Sequence, residues 1–238
     1  MSVELQGRCH FDQHPLFDEI EFRLESGGWT CLLGSSGSGK TTLLRLIAGL
    51  ETGARFDGEV RFGDGRSPGQ VAYMAQSDLL FPWLTVRQNV ILGPQLRNDR
   101  ANEEKADRLI ENVGLAPHSS KKPHQLSGGM RQRAALARTL MEDTPVVLLD
   151  EPFAALDART RSEMQDLTFE MLRGKTVLLV THDPAEAIRL GHRLFIVADR
   201  KLVAYPLPDR PPIRPHDDRD ALIAQARLLE QLRQGRYG

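Results

Sequence analysis

A glycine-rich octapeptide places the strongest constraint on what this chain can fold into. Residues 34–41 read Gly-Ser-Ser-Gly-Ser-Gly-Lys-Thr and match the pattern G-x-x-x-x-G-K-[ST] at every fixed position. An apolar run at 29–33 precedes the octapeptide and an apolar-periodic segment at 42–49 follows it, which predicts a buried strand, a loop and a helix. Such a loop turns backbone N–H groups toward phosphate oxygens at the positive end of a helix. The segment therefore predicts a nucleotide site rather than a surface turn.

The residues of this loop have separate expected tasks. Lys40 adds a cation for the outer phosphates, and Thr41 is expected to hold a magnesium ion. The predicted nucleotide-binding residues of the segment are Gly34, Ser35, Ser36, Gly37, Ser38, Gly39, Lys40, Thr41 and Thr42.

The composition argues against several classes of protein. Lys and Arg total 31 against 32 Asp and Glu, so the net charge of −1 does not favour a nucleic-acid or anionic-membrane surface. No apolar run approaches the ~18 residues that span a bilayer, and acidic residues interrupt the region where a signal peptide would be apolar. Cys9 and Cys31 lack metal-type spacing. We expect a cytoplasmic chain with reduced thiols.

Hydrophobic periodicity predicts an α/β fold with an N-terminal antiparallel β layer and an inserted helical subdomain. Residues 19–24 alternate as a half-exposed strand does, whereas the β-branched runs 146–149, 176–180 and 194–197 suit parallel strands covered on both faces. A further short strand is expected at 71–74, and helical patterns occupy 82–141. The predicted domains are a nucleotide-binding core at 1–76 and 144–205, a helical subdomain at 77–143, and a proline-rich linker with a C-terminal helix at 206–238.

The C-terminal region has a pattern of its own. Five prolines, at 206, 208, 211, 212 and 215, predict an extended linker rather than a packed element. In the helix that follows, one face is predicted to pack on the parent domain or to contact a partner. That face consists of Leu222, Ala226, Leu229 and Leu232.

Two adjacent carboxylates end the apolar strand at 146–149. Asp150 and Glu151 should therefore lie at the carboxyl edge of the sheet, where ligands bind in doubly wound folds and where the phosphate loop is also expected. Asp150 can assist the magnesium ion. Glu151 can orient and deprotonate a water that faces the terminal phosphate.

A second glycine-containing segment, residues 126–133, reads Leu-Ser-Gly-Gly-Met-Arg-Gln-Arg. Ser127 is a good N-cap, but two glycines at the start of a helix destabilise it unless something approaches the backbone closely. A phosphate group is the expected ligand at this helix start.

The order of the phosphate loop, the segment at 126–129, the Asp150-Glu151 strand end and His182 resembles that of the ATP-binding-cassette (ABC) ATPases over about residues 3 to 200. The resemblance implies a P-loop NTPase core that binds ATP and Mg²⁺. It also implies a dimer in which each ATP lies between the phosphate loop of one copy and Ser127, Gly128 and Gly129 of the other.

The resemblance extends to individual positions. It implies that Gln76 touches the magnesium site, that Asp157 belongs to a loop crossing the dimer interface, and that His182 contacts the terminal phosphate. Phe11 would stack on the adenine, with Phe17 or His10 as alternatives. Ala155 and Met130 depart from the serine and glutamine that many members have at these positions.

The loop at 77–86 leaves two interpretations open. Its apolar and aromatic residues could pack inside the helical subdomain, or Leu80, Phe81 and Trp83 could anchor a short helix of a membrane subunit. Together with the segment at 126–133, this loop resembles the ATPases of nitrate, sulfonate, taurine and thiamine-precursor importers.

That resemblance implies an ATPase dimer that is peripheral on the inner face of the cell membrane. Its partners would be membrane-spanning permease subunits and a solute-binding protein, with no nucleic acid. The alternatives are a soluble ABC ATPase of translation or DNA maintenance, an export ATPase, and a P-loop kinase, which would leave residues 126–129 unexplained.

Overall fold

A computed structural model of the protein describes residues 1–12, 14–63, 65 and 71–234. Its strands are β1 (Val3–Phe11), β2 (His14–Leu24), β3 (Trp29–Gly34), β4 (Arg55–Phe62), β5 (Val71–Met74), β6 (Val146–Asp150), β7 (Thr176–Thr181), β8 (Arg193–Ala198) and β9 (Lys201–Tyr205). Its helices are α1 (Lys40–Ile47), α2 (Val86–Leu96), α3 (Glu103–Asn112), α4 (Gly128–Met141), α5 (Ala158–Met171), α6 (Pro184–Leu190) and α7 (Arg219–Gln234).

The chain packs as two compact units. The first takes in the described residues of Met1–Val71, the segment Pro145–Asp150 and the described chain from Gly174 onward. The second consists of Ala72–Thr144 and Glu151–Arg173.

An antiparallel sheet in the first unit has the strand order β2-β1-β4. Val3, Leu5 and Cys9 on β1 are buried, and the residues between them are more exposed, as expected of a sheet with one face on the core. Gly7 of β1 lies opposite Gly58 of β4, and a Cβ atom on Gly7 would lie 2.6 Å from the Gly58 Cα atom. The two strands approach this closely only because both residues are glycine.

The second sheet of the first unit contains β6, β7, β3, β8 and β9 in that spatial order. The first four strands are parallel, and β9 returns antiparallel to β8. Every residue of β3, β6 and β7 is buried, which explains why their sequences are continuous apolar runs without alternation. The predicted α/β fold with an antiparallel N-terminal layer is confirmed.

Helices α2 to α5 make up most of the second unit. The Thr85 hydroxyl accepts the Gln88 N–H while the Gln88 side chain accepts the Thr85 N–H, a capping box that starts α2. Asn102, Ser127 and Asp157 cap α3, α4 and α5. Helix α4 packs against α2 and α3. Polar caps thus define where the helices of this unit begin.

Residues 206–218 form neither helix nor strand, but the segment differs from the unpacked linker that the prolines predicted, because one of its side chains is buried. Arg214 is only 3% exposed and donates hydrogen bonds to the carbonyl oxygens of Ile188, Gly191 and Pro208. The prolines prevent regular structure without preventing the burial of a side chain between them.

Of the two interpretations of the predicted α7 face, packing on the parent domain is wrong, whereas contact with a partner stays a prediction. The helix buries Ala221 and Leu228, whereas Leu222 is 50% exposed and Leu229 is 38% exposed. The Tyr205 hydroxyl donates to the Ala224 carbonyl oxygen at 3.0 Å, on the same side of the helix as the buried Ala221 and Leu228. Leucine spacing alone did not reveal this polar contact from β9.

Cys9 and Cys31 are free and buried, and burial raises the pKa of both thiols. Their thiols are therefore poor nucleophiles. Among the described residues, no helix has both the length and the apolar character that crossing a bilayer requires.

The close approach of β1 and β4 can be tested with Gly58→Ala. The new methyl group would overlap the Gln6 carbonyl oxygen and the Gly7 Cα atom, so the free energy of unfolding should fall by about 1–3 kcal/mol. Thermal unfolding followed by circular dichroism measures the change. Gly28→Ala is the control, since its Cβ would meet only the Glu25 carbonyl oxygen at 3.6 Å. Equal melting temperatures for the two variants would contradict the close approach.

Candidate active site

Three neighbouring parallel strands of the first unit end at one edge of their sheet. Leu33 of β3 lies opposite Thr181 of β7, and Val180 of β7 lies opposite Asp150 of β6. The glycine-rich loop follows β3, His182 follows β7, and Asp150 is the last residue of β6. Ligands of parallel α/β sheets bind beyond the carboxyl ends of the strands. The topology thus brings three of the predicted site elements to the edge where a ligand is expected.

The loop between β3 and α1 requires glycine for its shape. Gly37 has φ +79° and Gly39, the N-cap of α1, has φ +98°, both in the left-handed region that side chains disfavour. A Cβ atom at Gly39 would also lie 2.8 Å from the Phe17 ring. Phe17, on β2, is 1% exposed. The buried Phe17 ring therefore packs directly against the loop at Gly39.

Lys40 and Ser38 give the loop its fit to an anion. Lys40 is 6% exposed, and its Nζ atom donates to the carbonyl oxygens of Gly34 and Ser35, each at 2.8 Å. Ser38 Oγ is buried, and no partner for it occurs in the described part of the chain. A phosphate oxygen would accept hydrogen bonds from the Ser38 hydroxyl and from the N–H groups at the start of α1. The loop fits a nucleotide phosphate.

Thr41 and Asp150 meet beside this loop. The Thr41 hydroxyl donates to Asp150 Oδ2 at 2.9 Å, and Asp150 is 2% exposed. The described residues contain no cluster of three or more His, Cys, Asp or Glu side chains that could enclose a metal ion. Mg²⁺ at phosphate sites takes one or two protein oxygens, with water and phosphate oxygens as the remaining ligands. A hydroxyl and a carboxylate beside a phosphate loop fit that pattern.

Glu151, the next residue, belongs to the second unit and has its own partners. Its φ of +49° is unusual for a residue with a side chain. Gln76 Nε2 donates to Glu151 Oε2 at 3.1 Å, and Gln132 Nε2 donates to the Glu151 carbonyl oxygen at 3.4 Å. A strained backbone held by its surroundings is a frequent property of functional residues.

The segment at 126–129 starts α4 in the second unit. The Ser127 hydroxyl accepts the Met130 N–H at 3.3 Å, and Ser127 and Gly128 are both exposed. A Cβ atom at Gly129 would lie 3.3 Å from the Ala155 carbonyl oxygen. The glycine pair therefore leaves an open helix start on one side and permits close packing of the 154–157 loop on the other.

Asp157 has a structural task that the sequence analysis did not assign. Its carboxylate accepts the Thr160 N–H at 3.0 Å and caps α5, and this hydrogen bond lowers the pKa of Asp157. The residue is exposed. Capping α5 uses only part of the hydrogen-bonding capacity of the Asp157 carboxylate, so this exposed side chain can also accept a hydrogen bond from outside the helix.

The aromatic candidates differ in exposure. Phe11 is 40% exposed, whereas Phe17 is buried against Gly39. His10 Nδ1 lies 3.9 Å from Asp57 Oδ2. Of the two phenylalanines, Phe11 is therefore the one that offers a ring face for stacking, and the alternative Phe17 is excluded by its burial.

Sequence reasoning missed the support of the loop by Phe17 and two further contributors to these sites. Phe17 could have been noticed, since it lies out of step with the alternation of Ile20 and Phe22. Gln132 and the ion pair of Arg131 Nε with Asp78 Oδ2, at 2.9 Å, gave no local signal. The first depends on how α4 packs against Glu151, and the second on how it packs against the chain that follows Gln76.

Gly39→Ala should weaken nucleotide binding by about tenfold or more, because the loop must shift to relieve both the left-handed φ and the contact with Phe17. Isothermal titration with ADP and Mg²⁺ measures this. Gly174→Ala is the matched control, since Gly174 has φ +77° and nothing lies within 4 Å of its added Cβ. Unchanged ADP affinity in Gly39→Ala would show that nucleotide binding does not depend on the loop shape that Gly39 allows.

Comparison with known proteins agrees with this geometry. The sequence matches the family model of the ABC transporter over residues 17–154. An uncharacterised ABC transporter ATP-binding protein of Haemophilus influenzae is 44% identical over 229 residues, which make up 93% of this chain and 94% of that protein.

Two further relatives are named for import. The aliphatic sulfonates import ATP-binding protein SsuB 2 of Pseudomonas syringae pv. tomato is 41% identical over 232 residues, 95% of this chain and 96% of that protein. The taurine import ATP-binding protein TauB of Jannaschia sp. is 41% identical over 189 residues, 76% of this chain and 70% of that protein.

Among solved structures, the dimeric post-hydrolysis state of the ATP-binding cassette MJ0796, bound to ADP and Pi, matches with a TM-score of 0.75 and 27% identity. The match covers 90% of this chain and 99% of that one. The sequence matches and the shared fold agree with the phosphate-loop geometry, and this chain belongs to the ABC transporter family of ATP-binding ATPases.

Proposed function

We propose that the chain is the ATP-hydrolysing subunit of an importer for a small organic solute or anion, of the nitrate, sulfonate, taurine or thiamine-precursor type. The observation that carries the proposal is the Thr41–Asp150 hydrogen bond beside a phosphate loop, in a chain whose second unit has a separate glycine-start helix. The names of the Pseudomonas and Jannaschia relatives support import and the sulfonate type of solute.

In this proposal the first unit binds the nucleotide with its metal ion. Lys40 and the N–H groups of the loop neutralise the outer phosphates. Thr41 Oγ1 and Asp150 would hold Mg²⁺. Gln76, whose Nε2 atom donates to Glu151, would touch the metal site through its amide oxygen. When bound, Mg²⁺ offsets the charge that develops on the phosphates.

Glu151 is the proposed general base. It takes a proton from the water that attacks the terminal phosphate; a bond forms from the water oxygen to phosphorus, and the bond to the ADP oxygen breaks. The amide groups of Gln76 and Gln132 hold the Glu151 carboxylate and main chain. His182 contacts the terminal phosphate from the end of β7.

The site is completed by a second copy of the chain in this proposal. Ser127, Gly128 and Gly129 of one copy face the nucleotide of the other, because the open start of α4 offers N–H groups to phosphate. Asp157 lies in the loop that crosses between copies, and Phe11 stacks on the adenine.

A separate surface of the second unit is the proposed contact with the membrane subunits. Leu79 is 60% exposed and Trp83 is 63% exposed, and the Phe81 and Trp83 rings meet edge to face at 5.3 Å. Leu80 is only 8% exposed, so the packing interpretation applies to this side chain, and the proposed anchor is limited to the exposed ones. The importer would comprise this ATPase dimer on the inner face of the cell membrane, permease subunits and a solute-binding protein.

The role of Glu151 is tested by Glu151→Gln. The amide keeps the size of the side chain but cannot accept the proton, so kcat for ATP hydrolysis should fall by about 100-fold or more with ATP affinity retained. Phosphate release and nucleotide titration measure the two quantities. Glu163→Gln, an exposed position paired with Arg159, is the control. Turnover near the normal rate in Glu151→Gln would remove Glu151 from the role of base.

The transport assignment is tested by tagging the chain in its own host, solubilising membranes gently and identifying stoichiometric partners by mass spectrometry. A polytopic membrane protein should copurify with the wild type and with Leu96→Ala, whose side chain is 71% exposed, but less with Trp83→Ala. Ribosomal or DNA-bound partners would instead support the soluble ATPase, and an export permease would support the export reading.

A further inference from the structure

His182 is followed directly by the short helix α6, and the start of this helix is held by polar groups. The Thr181 hydroxyl accepts the Asp183 N–H at 3.0 Å and donates to Glu186 Oε2 at 2.7 Å. Asp183 in turn caps the helix by accepting the Ala185 N–H at 2.8 Å. Both neighbours of His182 are therefore tied to α6, so the orientation of this helix sets the direction in which His182 leaves β7.

The other end of α6 is held by Arg214, from the proline-rich segment. Its Nη1 atom donates to the carbonyl oxygens of Ile188 at 2.6 Å and Gly191 at 2.8 Å, and its main-chain N–H donates to the Arg189 carbonyl oxygen at 3.0 Å. A helix of seven residues is not stable by itself, and the carbonyl groups of its last turn need donors. Arg214 provides these donors, together with a positive charge that the helix C-terminus favours.

The burial of Arg214 indicates that this contact is specific. The residue is 3% exposed, and burial lowers the pKa of its guanidinium, an effect that Asp218 opposes. A buried cation is tolerated only where hydrogen bonds replace water, and Nη2 adds a third carbonyl contact, to Pro208 at 2.9 Å. Asp218 also caps the start of α7 by accepting the Ala221 N–H at 2.9 Å. The segment thus joins α6 to α7 within the first unit.

We infer that Arg214 is a positioning residue for His182, because it fixes the C-terminal end of α6 and thereby the orientation from which His182 reaches the terminal phosphate of ATP. The inference rests on the proposed contact between His182 and that phosphate. The C-terminal segment is then a structural part of the ATP site.

The test compares a ligand that has a terminal phosphate with one that lacks it. Affinities of the full-length chain for the ATP analogue AMP-PNP and for ADP, both with Mg²⁺, are measured by isothermal titration for the wild type, Arg214→Ala, His182→Ala and the double variant. Arg214→Ala should weaken AMP-PNP binding by about threefold to tenfold and leave ADP binding within about twofold. In the His182→Ala background, Arg214→Ala should cause no further loss of AMP-PNP affinity. Arg210→Ala, at an exposed arginine of the same segment, should bind both ligands as the wild type does.

The outcomes separate this inference from the proposed function. If His182→Ala leaves AMP-PNP affinity unchanged, the contact between His182 and phosphate fails, and the inference fails with it. If His182→Ala weakens AMP-PNP but Arg214→Ala weakens ADP equally, or lowers AMP-PNP affinity further in the His182→Ala background, only the positioning role is overturned.

A second variant keeps the test valid if Arg214→Ala does not fold. Arg214→Lys retains the charge but lacks the planar fork that reaches several carbonyl oxygens at once. We expect it to show the same selective loss of AMP-PNP affinity, with a melting temperature close to that of Arg210→Ala. AMP-PNP affinity equal to the wild type in folded Arg214→Lys would overturn the inference.

Discussion

The parallel pairing of β6, β7 and β3 is the constraint on which the rest of the first unit depends. Parallel neighbours direct their carboxyl ends to one edge, so Asp150, His182 and the phosphate loop meet there although they are far apart in sequence. Because all three strands are buried, a slip in register would displace apolar side chains as well as site residues. Stability and site geometry therefore depend on the same backbone hydrogen bonds.

Each group of site residues is held by partners in its own unit. Asp150 accepts a hydrogen bond from Thr41 in the first unit, whereas Glu151, one residue later, accepts one from Gln76 in the second. The peptide bond between them is one of the four points where the chain passes from one unit to the other. Two adjacent carboxylates can thus serve different chemical roles because different surroundings fix their side chains.

Features encoded in short stretches of sequence were predicted correctly, whereas several contacts between distant residues were not. The phosphate loop, the buried strands and the start of α4 follow from local spacing, capping and apolar runs. The packing of Phe17 on Gly39 and of Arg214 on α6 joins residues that are 22 and 23–26 positions apart, and no local pattern marks such contacts. The predicted packing of the α7 face failed for the same reason, since the Tyr205 hydroxyl contacts this helix at Ala224, 19 positions away in sequence.

The contact between Phe17 and Gly39 has a consequence for evolution and for protein engineering. Since an added carbon at position 39 would lie 2.8 Å from this ring, the two positions cannot vary independently. A larger residue at position 39 would need a smaller one at position 17 in addition to a change in the left-handed backbone of the loop. The conformation of the octapeptide thus depends on Phe17 of β2 as well as on its own sequence, so the loop and this strand are expected to change together.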